Sequence, residues 1–181
     1  MLKKLAALLL LVGLCLPYAC DVRPITGVWH ELPSILFLGI PVLATVIYVL
    51  HTLVPPLHTF HERNAAVLHG IFRVVYFGLV GGYLAFAVTK RDGSPGPIET
   101  AVALVVTGVL IVWQQRRGTK AARLPLLLLT AVGVPEVAFL IVFLRQGGVQ
   151  AGGWVVTAGW LLGVLTEVQT LSAAPIVAHS G

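Results

Sequence analysis

The chain has 181 residues, of which 57% are hydrophobic and only 10% are charged, and its mean hydropathy is +0.94. A soluble domain of ordinary composition has about 25% charged residues, so the composition excludes a large soluble domain and indicates an integral membrane protein. The formal net charge is +5. Because the basic residues are divided between separate connections rather than gathered in one patch, we expect no nucleic-acid partner.

Five apolar stretches are long enough to predict membrane-spanning helices, and a sixth, at 5–19, is shorter. A helix rises 1.5 Å per residue, so about 17 to 25 residues cross a hydrocarbon core of about 30 Å. The predicted spans are 5–19, 34–54, 69–89, 97–114, 124–144 and 153–171. We therefore expect an all-α integral membrane protein, a bundle of six transmembrane helices that forms a single polytopic domain over residues 1–181.

The first stretch also has the design of a signal peptide. Lys3 and Lys4 precede a short apolar run, which is the order of a basic start and an apolar segment in a secretory signal. A cut after Ala19 would place Pro17, rather than a small residue, three positions before the cut. We expect the segment to be retained as the first span, whereas cleavage of residues 1–19 would leave five helices.

The distribution of Lys and Arg predicts the orientation of the bundle. With the N-terminus inside, the inner segments hold seven basic residues and the outer segments hold four. The compact basic loop from Arg116 to Arg123 then lies on the inner side, as the positive-inside rule requires. We expect a multi-pass membrane protein whose N and C termini are both cytoplasmic if the first helix is retained.

Glu136 lies near the middle of the fifth predicted span. An ionisable residue at the centre of a membrane helix costs about 2.5 to 3.5 kcal/mol, so a function or a partner is expected. Pro135 precedes it and leaves a carbonyl near Ala131 without its usual donor. A carboxylate at a proline-broken helix is typical of transporter sites. The alternative is a protonated Glu136 that is hydrogen-bonded to a hydroxyl, such as that of Thr107 or Thr45.

A second carboxylate lies on a glycine face of the last predicted span. Gly159, Gly163 and Glu167 recur every four residues and therefore share one face, and a GxxxG face is where membrane helices approach closely. We expect Glu167 to point into the bundle and to form an ion pair with Arg73, which lies at similar depth in the third span. Alternatively, Arg73 extends to the lipid headgroups.

Four of the six histidines fall within nineteen residues, on both sides of two consecutive prolines. The prolines end the second span, and a helix that restarts near Leu57 brings His58, Glu62, His69 and Arg73 near one face. Such a set suggests a divalent metal site, and His51 with His69 suggests haem ligation. The alternative is an interfacial connector in contact with headgroups and water. The candidate metal or haem ligands are His51, His58, His61, Glu62 and His69.

The sequence contains no GxSxG or HExxH motif, and we expect a protein that is not an enzyme. Gly78 and Gly82 form a second GxxxG in the third span, so two helices have surfaces suited to close helix partners. We therefore favour a non-enzymatic accessory or assembly subunit whose partners are the lipid bilayer and a membrane protein or a second copy. The alternatives are a proton-coupled or small-solute transporter that uses Glu136, and a histidine-based haem or metal redox protein. The sequence identifies no cofactor.

Overall fold

The computed structural model describes residues 1–17, 39–89, 120–146 and 148–173, together with 101–102, 105–106, 108–109 and 112–113. Five helices are defined in chain order: α1 (Leu2–Cys15), α2 (Ile40–Leu53), α3 (Pro55–Thr89), α4 (Lys120–Gln146) and α5 (Ala151–Ala173). The short described stretches between 101 and 113 are helical as well. Over the residues described, the protein is all-helical, as the sequence predicts.

The count of six membrane spans is not confirmed. Among the helices of the described residues, only α5 is by itself long and apolar enough to cross a membrane, which suggests membrane association. Pro41–Leu53 and Pro55–Ile71 meet the same criteria together, but they are bent by 114°. With 14 residues, α1 and α2 are each about 21 Å long, shorter than a hydrocarbon core of about 30 Å. Most of the predicted span 97–114 lies outside the described residues.

The two consecutive prolines set the boundary between α2 and α3. Proline has no backbone N–H and is therefore tolerated in the first turn of a helix but not in its interior. α2 ends at Leu53, and Val54 adopts an extended conformation. α3 begins at Pro55 and continues without interruption to Thr89. The prediction that a new helix restarts at the prolines and runs into the third apolar stretch is confirmed.

α4 is continuous through Pro135, where the sequence predicts a break. The neighbouring helix α5 holds this part of α4 through Trp160, whose indole Nε1 donates to the carbonyl oxygen of Leu129 at 2.8 Å. Gly133 makes room for the indole, since a Cβ added there would lie 2.7 Å from Cζ2 of the ring. This part of α4 is therefore packed closely against α5, within one helix that continues on both sides of the proline.

α1 and α5 form the most extensive helix contact, and they run antiparallel. The amide N–H of Gly152, near the start of α5, donates to the carbonyl of Pro17 just after α1, at 2.9 Å. Further along, a Cβ added at Gly159 would lie 2.9 Å from the amide nitrogen of Leu10. Gly13 of α1 lies equally close to α5. Glycine at these positions allows the two backbones to approach each other directly.

The hydrophobic core joins α1, α2, α4 and α5. Its largest fully buried apolar side chains are Leu10, Tyr48, Leu124, Leu126, Leu127, Leu128, Leu129 and Leu171. At one end of this core, α1, α3 and α4 begin and α2 and α5 end, so polar residues from the termini of five helices meet there.

Candidate functional site

A cavity of about 810 Å³, called here the inner cavity, lies at the end of the core where α1 begins and α5 ends. All five helices contribute to its wall, α4 through Pro125 only. The ionisable side chains that line it are Lys3, Lys4, His51, His58, His61, Glu62 and Glu167. The cavity therefore collects two lysines, three histidines and two carboxylates in one place.

The bend between α2 and α3 assembles the three histidines. His51 lies in the last turn of α2, and the 114° bend returns the chain so that the first turns of α3 lie beside it. The Nδ1 atoms of His51 and His61 are 2.8 Å apart. The ring of His58 stacks on that of His51 with a centroid distance of 4.8 Å. Because a hydrogen bond between two ring nitrogens needs one donor and one acceptor, one Nδ1 of the pair carries a hydrogen and the other does not.

The surroundings of His61 disfavour its protonated form. Burial lowers the pKa of its imidazole below the ordinary value of 6.5, and the neighbouring His58 lowers it further. Protonation of both members of the His51–His61 pair would place two N–H groups and two positive charges against each other. Oε1 of Glu62 lies 3.7 Å from Nδ1 of His58. Both side chains are more than half exposed, so this contact is weak.

Glu167 lies on the opposite wall of the cavity and forms an ion pair with Lys3. Its Oε2 is 2.7 Å from Nζ of Lys3, and its side chain is only 4% exposed, against 38% for the lysine. The side chain points into the bundle, as the sequence led us to expect. The expected ion pair with Arg73 falls on a side chain outside the described residues and stays a prediction. The antiparallel contact of α1 with α5 places Lys3 at the level of Glu167.

Glu136 lies away from the inner cavity, buried between α4 and α5. The hydroxyl of Thr157 is hydrogen-bonded to its carboxyl group and also lies 2.8 Å from the carbonyl of Gly153. A hydroxyl has a single hydrogen, so it donates to one of these acceptors at a time. When Thr157 donates to Gly153, the contact with Glu136 requires a protonated carboxyl as donor. The hydroxyl partner is therefore Thr157, while Thr45 is buried in α2 and Thr107 lies outside the described residues.

The metal set expected from the sequence is only partly brought together. His58 and Glu62 are neighbours on α3, and the imidazole that stacks on His58 is that of His51 from α2. His69 is buried further along α3 and does not line the cavity. Within the described ranges, no group of three His, Cys, Asp or Glu residues is arranged to hold a metal ion. The haem hypothesis pairs His51 with His69. In the structure the ring of His51 instead contacts His58 and His61, and His69 does not line the cavity.

The predicted glycine faces differ in their surroundings. A Cβ added at Gly163 would lie 3.1 Å from the Leu129 side chain and 3.4 Å from the hydroxyl of Tyr48. Gly159 contacts α1, as described above. At Gly78, by contrast, an added Cβ would have nothing within 4 Å. The surroundings of Gly82 lie outside the described residues.

An apolar stripe, called here the α3 stripe, runs along the exposed side of α3. It consists of Val67, Ile71 and Val74, whose exposed fractions are 64%, 54% and 74%. Residues three and four apart lie on one face of a helix. Gly70 and Gly78 flank the stripe, and each has open space where a Cβ would be. Sequence reasoning identified Gly78 through its GxxxG spacing but missed the β-branched residues beside it.

Comparisons with known proteins add no assignment to this arrangement. The chain matches no family model, no curated protein and no solved structure.

Proposed function

We propose that this chain is a six-span integral membrane protein and that it acts as a non-enzymatic accessory or assembly subunit of a membrane complex. The observation that carries the proposal is the α3 stripe with its two open glycines. In lipid, helix association depends on close packing, and small residues allow the backbone of a partner to approach. Gly152, Gly159 and Gly163 of α5 already contact other parts of the chain, whereas Gly70 and Gly78 of α3 have open space, so α3 is a helix that can receive a partner.

The meeting of five helix termini at the inner cavity supports the proposed topology. Helices α1, α3 and α4 begin there and α2 and α5 end there, which is the alternation expected if this end faces the cytoplasm. Lys3 and Lys4 lie at the same end, in agreement with the positive-inside rule. Both termini would then be cytoplasmic.

Photo-crosslinking in native membranes tests the subunit proposal. A photoreactive residue at Val74 should give a discrete adduct, whereas the same residue at Leu161, which is exposed on α5, should give none because we expect it to face lipid. Gly78→Leu should abolish the Val74 adduct without changing the thermal stability of the purified chain, since the space around Gly78 is open. An adduct that persists in Gly78→Leu, or no discrete adduct at all, would contradict the proposal.

A second candidate function, proton-coupled or small-solute transport through Glu136, is favoured by one observation. The carboxyl of Glu136 is buried between two helices. It competes with the carbonyl of Gly153 for the hydroxyl hydrogen of Thr157, so the contact is compatible with both the ionised and the protonated carboxyl. Solute flux driven by a pH gradient in proteoliposomes should then disappear in Glu136→Gln. It should persist in Glu62→Gln, which removes an exposed carboxylate. Such a result would favour transport over the subunit proposal.

A further inference from the structure

The inner cavity changes its net charge when its histidines are protonated. The groups that face it are the amino group of Met1, Lys3 and Lys4 from α1, His51 from α2, His58, His61 and Glu62 from α3, and Glu167 from α5, while α4 contributes the uncharged Pro125. The amino group of Met1 adds a further positive charge to the lining. With neutral imidazoles, the two lysines offset the two carboxylates. Each protonated imidazole therefore leaves one positive charge that no group in the lining balances.

The positive charge is not distributed evenly over the lining. Lys3 is paired with Glu167 at 2.7 Å, and Glu62 lies beside His58. Lys4 is exposed and has no carboxylate partner among the described residues, and it faces the same space as the His51–His61 pair. An incoming anion would thus meet the ammonium group of Lys4, the amino group of Met1 and two imidazoles.

We propose that the inner cavity binds a tetrahedral oxyanion, such as a phosphate or sulfate group, and that the His51–His61 pair takes up protons when it binds. The two Nδ1 atoms, 2.8 Å apart, share one hydrogen. The ring that carries this hydrogen can take up a proton at its other nitrogen, Nε2, without disturbing the contact between the two Nδ1 atoms. Both rings then have an Nε2–H group, and an oxyanion that accepts a hydrogen bond from each makes this protonation favourable. Lys4 supplies the charge that does not depend on pH. This inference goes beyond the subunit proposal and does not depend on it.

Binding and protonation are then linked. If one proton enters with the anion, the affinity rises by up to about tenfold for each unit of decreasing pH, and by reciprocity the anion raises the pKa values of the pair. Burial and the neighbouring His58 lower the pKa of His61, which leaves room for such an increase. The oxyanion can be a free ion or the phosphate headgroup of a lipid, since the cavity lies at the end of the bundle that we place at the membrane surface.

Sulfate is a suitable probe, because it does not titrate in the range where histidine does. The full chain in phosphatidylcholine nanodiscs is titrated with sodium sulfate against sodium chloride at matched ionic strength, at about pH 8 and about pH 5.5. The histidine ring resonances are followed by NMR. We expect saturable shifts of His51 and His61 at the lower pH, an affinity at least about tenfold weaker at the higher pH, and an unshifted His69. Lys4→Gln should weaken binding, and His61→Gln should reduce the pH dependence.

Arg63→Gln is the matched control, since Arg63 is an exposed cation near the cavity that does not line it. Equal weakening by Lys4→Gln and Arg63→Gln would show diffuse attraction and overturn the proposal, as would shifts that do not saturate. Nanodiscs that also contain phosphatidic acid distinguish the two sources of the oxyanion. Loss of the sulfate response in them identifies the lipid headgroup, and an unchanged response identifies a free ion.

Discussion

Glu167 has the most buried charge-bearing side chain of the inner cavity, and Lys3 is its partner. We expect Lys3→Met to lower thermal stability in detergent, because it leaves a buried carboxylate uncompensated. The loss should be smaller than the roughly 3 to 5 kcal/mol typical of a fully buried pair, since Lys3 is 38% exposed. Lys4→Met removes the neighbouring exposed lysine and should have little effect. The double variant Lys3→Met/Glu167→Leu should recover much of the loss, and strictly additive losses would contradict the pairing.

His61 makes the stability of the protein depend on pH. Its pKa in the folded state lies below 6.5 because it is buried and close to His58. The neutral ring therefore contributes stability that is present above about pH 6.5 and is lost as the pH falls from there through the folded-state pKa. We expect the melting temperature, measured in chloride without oxyanions, to fall over this window. His61→Gln should flatten the fall, and an unchanged slope in this variant would contradict the assignment.

The orientation of Glu167 could be predicted from the sequence, but its partner could not. The four-residue spacing of Gly159, Gly163 and Glu167 was enough to expect a carboxylate that points into the bundle. The identity of its partner depends on the register between the first and last helices, which no local pattern specifies. In the same way, the sequence places the histidines around the prolines, but the contact of His51 with His61 depends on the direction and size of the bend.

At the scale of the helix, the two glycine motifs should respond differently to the same substitution. Gly159→Ala places a methyl group against the backbone of α1 and should destabilise the protein by about 1 to 3 kcal/mol. Gly78→Ala fills open space and should be neutral or stabilise α3 by up to about 1 kcal/mol through helix propensity. Thermal melts of both variants in one detergent check the prediction. Similar destabilisation by both would show that α3 packs on something within the chain.

Element boundaries were predicted best where the chemistry is local. Proline cannot continue a helix, and the boundary at Pro55 follows from that alone. The expected break at Pro135 is wrong, since α4 is continuous there, and the packing of Trp160 from α5 against this part of α4 cannot be read from a local pattern. The end of α1 could not be read from hydropathy, since the apolar Leu16 just after the helix is extended and has the same hydropathy as a leucine inside it.

At the scale of the whole molecule, α1 is part of the core although it resembles a signal peptide. Ala6, Ala7, Leu10 and Leu14 are buried, and its first turn provides the partner of Glu167. We expect the protein isolated from membranes to retain this segment, because its removal would expose the glycine face of α5 and an unpaired carboxylate. The intact mass measured by mass spectrometry tests this. A mass that corresponds to loss of residues 1–19 would contradict it.

The antiparallel contact of α1 with α5 has a consequence for synthesis. The two helices lie at opposite ends of the chain, so α1 leaves the ribosome long before its main packing partner exists. At about 5 to 20 residues per second, the delay is on the order of ten seconds. During this time α1 is an apolar segment with two lysines at its start, and its glycine is not yet covered by α5. A signal peptidase could therefore reach it. Its poor cleavage site, with proline in place of a small residue, then protects it until α5 arrives and covers it.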